Sequence, residues 1–429
     1  MMDLALKGDE IAFKEKAPGS KVTVLNIFLT LSLAASLSLP DAYTISGAMF
    51  AIIGLFYLLK RLLEQNSVLE PYFAGKLCFF FMAFAFICTS VQLWHHAPVS
   101  HYEMYIPFWW APLTVLAIAD GKIDRRFIWL GCFLGAVLAC FLAFYQSIYL
   151  GVKRPYGFIG SPVTFGNNAL LLGSIALAGR YDPPFNWPKP VWHALAYLGF
   201  LFGVTASLIT QSKGGWLLIP VVAIWAIVED FRCASRRGKL SISIFAFAII
   251  CALPFLPLNT AVSRISSATI GTVTWFQTGK FMEGSAAPRL ELWNFGLTVW
   301  PEKPWLGHGR DGIVQLMHEK IAEKELNPRI ERLTALHNEP LQLLVEQGVV
   351  GLFSWILMFV VSAFVFARAY SRHDRVQKIL GQAGLVTVSA SFIFGLTDMN
   401  LMLNANRQIF AFLVMTIATL IVADRKTVG

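Results

Sequence analysis

Long apolar runs recur along almost the whole of this 429-residue chain, and most are close to the length that a helix needs to cross a bilayer. In hydrocarbon every backbone N–H and C=O needs an internal partner, so only helices and closed barrels span membranes. Barrel strands alternate apolar and polar residues, and these runs do not. The sequence therefore predicts an all-α polytopic membrane protein with about twelve transmembrane helices. The expected spans are 22–39, 44–60, 76–94, 106–119, 127–149, 166–179, 192–210, 215–230, 241–257, 341–366, 379–396 and 405–423.

The placement of basic residues decides what the net charge of +9 means. Most Lys and Arg residues fall in one alternate set of short loops, which is the pattern of cytoplasmic loops in membrane proteins and not that of a nucleic-acid-binding surface. We therefore expect a multi-pass membrane protein with both termini cytoplasmic. The opposite short loops hold four basic residues, which are Lys153, Arg154, Lys213 and Arg407.

One long hydrophilic segment, 258–340, divides the chain into helices 1–257 and helices 341–429 and is expected to face outward. Its aromatic residues argue against disorder. The helical spacing of Ile313, Leu316, Met317 and Ile321 predicts an amphipathic helix that lies on the rest of the protein or on the outer leaflet.

The segment ends in Leu336-His337-Asn338-Glu339-Pro340, just before an apolar run. Asn338 is a good N-cap, and proline is suited to the first turn of a helix. The positive end of the helix dipole favours a neutral imidazole at His337, and that form can accept a proton from a hydroxyl group. The alternative is a polar residue that only marks the start of the helix.

Several outward cations could bind a membrane-bound diphosphate. Arg289 shares a helix face with Trp293, and an Arg can fork onto two phosphate oxygens. Lys213 lies in a glycine turn, and Lys153, Arg154 and Arg264 are expected on the same side. An interfacial helix and an ordinary tight turn are the alternatives for the first two sites. Asp398, another outward residue, could orient His337 or balance an arginine.

The outward segments contain no Asp-x-Asp motif and no His/Cys cluster with the spacing of metal ligands. We therefore expect a metal-independent reaction and no cofactor.

Four motifs resemble those of the O-antigen ligase and polymerase superfamily. His337-Asn338, followed after nine residues by Gly348-Val349-Val350-Gly351, is similar to the ligase signature. Arg289 with Trp293 and the stretch Pro304-Trp305-Leu306-Gly307-His308-Gly309 resemble the external segment of the superfamily. Thr210-Gln211-Ser212-Lys213-Gly214 is similar to its Thr-Gln-Ser-Arg-Gly turn, with Lys in place of Arg.

The resemblance implies a metal-independent, inverting glycosyltransferase of the GT-C type with a periplasmic active site. It would transfer O-antigen polysaccharide from undecaprenyl diphosphate to a sugar of the lipid A–core. His337 would deprotonate the acceptor hydroxyl. Arg289, Arg264 and Lys213 would hold the diphosphate, with Lys153 and Arg154 adding positive charge, and Asn338, Trp293, Asp398, Gly348 and Gly351 would support the site.

Three alternatives remain open from the sequence. An O-antigen polymerase usually has two large external loops with an Arg, ten residues, Gly pattern. This chain has one large loop, and no Gly stands at that distance after Arg154, Arg264, Arg289, Arg310, Arg329 or Arg332. A protein O-oligosaccharyltransferase of the same superfamily is usually longer. A lipid or polysaccharide transporter would be favoured by internal symmetry or by charges within the spans, and neither is evident.

Overall fold

In the computed structural model, the described residues are 23–64, 73–233, 259–278, 287–331, 333 and 335–428. Within these ranges every regular element is helical. The α-helices are α1 Val24–Ala35, α2 Ala42–Leu63, α3 Phe73–Trp94, α4 Val99–Tyr102, α5 Ile106–Trp109, α6 Ala111–Asp120, α7 Arg126–Ile148, α8 Pro162–Ala178, α9 Lys189–Ile209, α10 Leu218–Cys233, α11 Asn259–Thr278, α12 Ala287–Val299, α13 Arg310–Ala322, α14 Glu339–Tyr370, α15 Arg375–Thr397 and α16 Asn404–Val428. The 3₁₀ helices are Glu103–Tyr105, Lys213–Leu217, Trp300–Glu302 and Pro328–Ile330.

Eight helices in the described ranges are long and apolar enough to cross a membrane, and α1 and α8 are shorter apolar helices. An all-α polytopic membrane protein is thereby confirmed, whereas the count of about twelve spans stays a prediction. The expected span at 241–257 and the N-terminal residues 1–22 lie outside the described residues.

Helix α8 lies at the centre of the bundle, where α7, α9 and α15 surround it. All of its residues from Thr164 to Ala178 are buried. Two glycines allow the close approach of α9: a Cβ at Gly173 would lie 2.7 Å from the Gly199 carbonyl oxygen, and one at Gly203 would lie 2.5 Å from that of Ala169. This central position explains an apolar helix of only 17 residues.

Two of the predicted spans are not continuous helices. The span predicted at 106–119 is divided at Trp110 into α5 and α6, because Pro107 and Pro112 each stand in the first turn of a new helix and lack an N–H for an earlier one. The span predicted at 341–366 belongs to α14, which is interrupted at Gly348 (φ 67°, ψ −167°).

Helices α12 and α13 form a small core of their own on top of α14. Leu292 and Phe295 of α12 pack with Ile313 and Met317 of α13 and with Val345 of α14. The amphipathic helix predicted around 313–321 is therefore α13, and its apolar face is covered by protein, the first of the two predicted arrangements.

Basic residues of the predicted cytoplasmic loops gather at the Arg375 end of α15. Arg180 pairs with Asp230 at 2.8 Å, and the Arg375 guanidinium lies over the Tyr181 ring. Lys378 pairs with Glu229 at 3.0 Å. Because α15 has 23 residues, its far end lies about 34 Å away at 1.5 Å per residue. Asp398 lies at that far end.

Candidate active site

His337 and Asp398 form a hydrogen-bonded pair between the start of α14 and the end of α15. His337 Nδ1 lies 2.8 Å from Asp398 Oδ1. The two side chains are 30% and 14% exposed, so the pair is enclosed on most sides but open to a ligand at the imidazole. The sequence raised the possibility that Asp398 orients His337, and the structure places the two side chains in contact.

Asp398 is held in its ionised form by its surroundings. Burial by itself would raise the pKa of this carboxyl group. The hydrogen bonds from His337 and from the Met399 N–H, together with the positive charge of Arg289, outweigh burial and lower the pKa below its usual value. Since an ionised carboxylate only accepts hydrogen bonds, Nδ1 of His337 carries the proton of this hydrogen bond.

Local sequence places His337 at the helix entrance. The Asn338 side chain caps α14 by accepting a hydrogen bond from the Leu341 N–H at 3.0 Å, which confirms the predicted N-cap, and Pro340 stands in the first turn. The Asn338 amide also donates to the Leu396 carbonyl at 3.1 Å and thereby ties α14 to the end of α15. His337 itself has φ 52°, an uncommon left-handed conformation that turns the chain into the helix.

Both backbone groups of Leu336 are held by side chains. The indole Nε1 of Trp293 donates to the Leu336 carbonyl at 2.9 Å, and the Leu336 N–H donates to Gln342 Oε1 at 2.8 Å. The sequence assigned Trp293 a supporting role, and this contact shows how it fixes the residue before His337. Arg289 lies on the same helix α12, is exposed, and acts electrostatically on Asp398.

A buried polar chain missed by the sequence reasoning extends from Gln342. Its amide donates to Glu346 Oε2 at 3.2 Å, and Glu346 Oε1 accepts from Gln92 Nε2 of α3 at 2.6 Å. All three side chains are buried. Polar residues inside an apolar span are costly unless they are paired and are for that reason candidates for function. Glu346 lies within the predicted span 341–366, so the expectation that the spans hold no charges was wrong.

Glu339 was also not assigned a role by the sequence reasoning. Its side chain is 1% exposed, and Oε1 accepts the Leu401 N–H at 2.9 Å. Because Leu401 belongs to the turn that follows Asp398, Glu339 fixes the turn that carries the partner of His337.

The Thr210–Gly214 turn lies against the same end of α15. A Cβ at Gly214 would be 2.0 Å from Thr397 Oγ1, so only glycine permits this approach to the residue before Asp398. The neighbouring Lys213 is exposed. Arg154 Nε donates to the Thr210 carbonyl at 3.2 Å, which brings a second predicted cation to this turn.

The structure does not bring the other predicted cations as close to the His337–Asp398 pair. Lys153 is exposed beside Arg154. Arg264 lies in α11, and its side chain is outside the described part of the structure. Arg407 is the fourth of the basic residues in the predicted outward loops. It is buried at the start of α16 and donates to the Met402 carbonyl at 2.7 Å. The cations whose elements the structure brings to the His337–Asp398 pair are therefore Arg289, Lys213 and Arg154.

The Pro304–Gly309 stretch has a structural role in the interruption of α14. The Val349 N–H donates to the Pro304 carbonyl at 2.8 Å, and the His308 N–H donates to the Val345 carbonyl at 2.9 Å. A Cβ at Gly348 would lie 2.2 Å from the Trp305 carbonyl. Gly348 therefore admits the loop to the helix, about 15 Å along the helix axis from His337 at 1.5 Å per residue.

Gly351 lies one turn further along α14 and also faces a crowded position. A Cβ there would be 2.4 Å from the Cβ of Gln347. The two glycines of the His-Asn-x9-Gly-x2-Gly pattern thus support the helix that carries His337 and do not touch the imidazole. Among the residues that the structure describes, there is no group of three His, Cys, Asp or Glu side chains arranged to hold a metal ion.

Comparison with known families adds an independent observation. The family model described as O-antigen ligase matches residues 198–356, which include the Thr210–Gly214 turn, Arg289, Trp293 and His337. This match supports membership of the O-antigen ligase superfamily, whose members are glycosyltransferase-like enzymes of glycan assembly. Asp398 lies beyond the matched residues, so the contact between His337 and Asp398 is evident only in the tertiary structure.

An uncharacterized protein of Haemophilus influenzae is similar over nearly the whole length. It is 22% identical over 397 residues, which cover 90% of this chain and 96% of that protein. This similarity covers the segment matched by the O-antigen ligase model and the helices on both sides of it.

Proposed function

We propose that this protein is an O-antigen ligase. It transfers a polysaccharide from undecaprenyl diphosphate to a sugar hydroxyl of the lipid A–core, at the outward face of the bacterial inner membrane. The observation that carries the proposal is the hydrogen bond between His337 and an ionised Asp398 beside a set of cations. A base next to cations is what glycosyl transfer from a diphosphate requires.

His337 serves as the general base of this reaction. With Nδ1–H donated to Asp398, Nε2 accepts the proton of the acceptor hydroxyl as the oxygen attacks the anomeric carbon of the donor. The bond from that carbon to the phosphate oxygen breaks, and undecaprenyl diphosphate leaves with the electron pair. One displacement of this kind inverts the anomeric centre. Asp398 stabilises the imidazolium that forms and is thus a positioning residue.

The leaving diphosphate gains negative charge as the bond breaks. Arg289, Lys213 and Arg154 are exposed cations on three different elements near the pair, so they can surround this charge and stabilise the transition state. Arg264 is proposed as a further cation from α11. Since a diphosphate is already a good leaving group, the reaction needs no acid catalyst.

The hydrogen-bonded chain Gln342–Glu346–Gln92 also supports the role of His337 as a general base. It holds the backbone N–H of Leu336 from inside the bundle, while Trp293 holds the carbonyl from the external segment. The imidazole is therefore attached to two rigid parts of the molecule, and such preorganisation keeps a base within reach of its proton.

The test is complementation of a deletion strain with the wild-type gene, with His337→Ala and with His318→Ala as a control. His318 is an exposed histidine of α13. We expect His337→Ala to leave bare core and to accumulate polymer on undecaprenyl diphosphate, whereas His318→Ala restores capped core. Core capped with single repeats would instead indicate a polymerase, carrier-linked sugar trapped inside would indicate a transporter, and glycosylated protein would indicate an oligosaccharyltransferase.

A further inference from the structure

A second concave surface lies on the external helices, away from His337. The groove has a volume of about 750 Å³ and is bounded by the end of α11, one face of α12 and the loop that follows α13. This volume lies within the range of about 300–1,000 Å³ that is typical of small-molecule sites. The groove therefore has room for a ligand of several rings.

Aromatic rings form one wall. Trp275 and Phe276 meet edge to face with ring centroids 5.0 Å apart, and Phe276 is 72% exposed. A pyranose ring presents C–H groups on its faces and hydroxyls at its rim, so an exposed aromatic ring can cover one of those faces. An exposed aromatic ring alone would equally suit a lipid, and the rest of the lining distinguishes the two.

The rest of the lining is mixed and carries charges of both signs. It consists of Glu291 and Asn294 of α12, Lys324, Glu325 and Asn327 of the loop after α13, and the apolar residues Ile321, Leu326 and Pro328. Glu291 Oε1 accepts the Asn327 N–H at 2.6 Å, so this loop is held against α12. Amides and carboxylates of this kind donate to and accept from hydroxyl groups.

This composition separates the groove from the site at His337. Lys324 is accompanied by Glu291 and Glu325, and Glu325 pairs with Lys320 at 2.9 Å. A diphosphate would require an excess of cations, and an acyl chain would require an apolar lining on both sides. Neutral hydroxyl-rich rings fit the combination best.

The position of the groove relates it to the reaction. On α12, Arg289 and Trp293 occupy one face, and Glu291 and Asn294 lie roughly opposite at 100° per residue. Trp293 contacts the residue before His337, so the groove is one helix away from the pair. A helix with side chains is about 10–12 Å across. A saccharide chain bound at His337 can therefore reach the groove with a sugar a few residues from the reacting one.

We propose that this groove is a saccharide-binding subsite, which holds a sugar distant from the bond being formed. The proposal rests on the glycosyl-transfer function proposed above. The bound sugar belongs either to the donor polysaccharide or to the acceptor core, since both have the same chemistry. The subsite increases the affinity for one of these chains without taking part in proton transfer.

The test uses the full-length protein in proteoliposomes and the double variant Phe276→Ala, Asn294→Ala. The matched control is Val273→Ala, an exposed apolar residue one turn earlier on α11 and outside the groove. Donors are undecaprenyl diphosphate with a single repeat and with a long polymer. Acceptors are the complete core and a core trimmed to its acceptor sugar.

If the groove binds the donor, KM for the long donor rises about tenfold, the size expected from losing a ring contact and a hydrogen bond, while KM for the single-repeat donor is unchanged. If it binds the acceptor, the same rise appears for the complete core and not for the trimmed core. Equal changes with all substrates, or no change beyond the control, would overturn the subsite. Transfer by His337→Ala would overturn the function itself, so the two failures are distinguishable.

Discussion

Oε1 of Glu339 accepts the backbone N–H of Leu401 at 2.9 Å and so connects the first turn of α14 to the turn after Asp398. Its second oxygen, Oε2, has no hydrogen-bond partner in the described part of the structure. A Cβ at Gly395 would lie 2.8 Å from that oxygen, so α15 passes very close to this carboxyl group. Glu339 lies two residues after His337 and is therefore placed to hold Asp398 in position beside the His337 side chain.

Substitution of Glu339 tests this role. Glu339→Gln keeps an oxygen that can accept the Leu401 N–H, and we expect transfer within about fivefold of wild type. Glu339→Ala leaves a buried N–H unsatisfied, at a cost of about 1–3 kcal/mol, and should lower the transfer rate by about tenfold or more. The measurement is the initial rate in proteoliposomes. Equal activity of the Ala and Gln variants would show that the contact is not needed.

Asp398→Asn should lower kcat by at least about a hundredfold, because an amide can present N–H to His337 and allow the wrong imidazole tautomer. We expect KM to change little, since Asp398 does not touch the substrate in the proposed mechanism. Steady-state kinetics with a single-repeat donor would show whether kcat falls while KM changes little. An effect confined to KM would contradict the assigned role.

The lowered pKa of Asp398 also predicts a stability difference that depends on pH. Since the folded state favours the ionised form, its contribution to stability is complete above the unfolded pKa of about 3.9 and is lost as the pH falls through the lower folded value. Asp398→Asn should therefore have a lower Tm than wild type at pH 6–7. The gap should narrow below about pH 4, as measured by thermal unfolding in detergent. A gap that is constant over this pH range would be inconsistent with the ionised pair.

Gln342→Ala removes the acceptor for the Leu336 N–H and one donor to Glu346. We expect kcat to fall by about tenfold, which corresponds to about 1.4 kcal/mol in the barrier, because the segment that carries His337 loses its inner attachment. Gln315→Ala is the control, since Gln315 is exposed and bonds Glu319 on its own helix α13. Loss of activity in both variants to the same degree would argue against a specific effect at Leu336.

Gly348→Ala should destabilise the protein by several kcal/mol, since the new Cβ would meet the Trp305 carbonyl and the positive φ is unfavourable for alanine. Gly312→Ala is the matched control in α13, where the nearest atom to a Cβ is 3.6 Å away. Thermal unfolding of both variants provides the comparison. A Gly348→Ala protein as stable as the control would show that the loop can move away from α14.

The local features of this protein were predictable from the sequence because they depend on neighbouring residues. The apolar runs identify the spans, Asn338 and Pro340 identify the start of α14, and the spacing around 313–321 identifies the buried face of α13. An error arose where a local pattern had two outcomes, because the run 106–119 has the hydropathy of one helix but its two prolines divide it. The residues 341–366 do lie within one candidate span, Glu339–Tyr370, and only the kink at Gly348 was not predicted.

The candidate site was predictable only in part. His337, Asn338, Trp293 and the turn at Lys213 were identified as single motifs, whereas their mutual arrangement depends on packing. Asp398 lies 61 residues from His337, and Gln92 lies 254 residues from Glu346. Such contacts follow from which helices pack together, and helical periodicity shows which face of a helix is apolar but not which neighbour covers it.

The sequence by itself determined that the chain is a helical membrane protein, that its basic residues concentrate in alternate loops, and that a histidine stands at a capped helix start. Hydropathy, charge placement and capping act over a few residues, so they can be read directly. The tertiary structure alone decided that Asp398 pairs with His337, that Glu339 and Gln342 hold this pair, and that a groove forms beside α12. Each of these depends on the close approach of separate helices, which glycines such as Gly214 and Gly348 make possible.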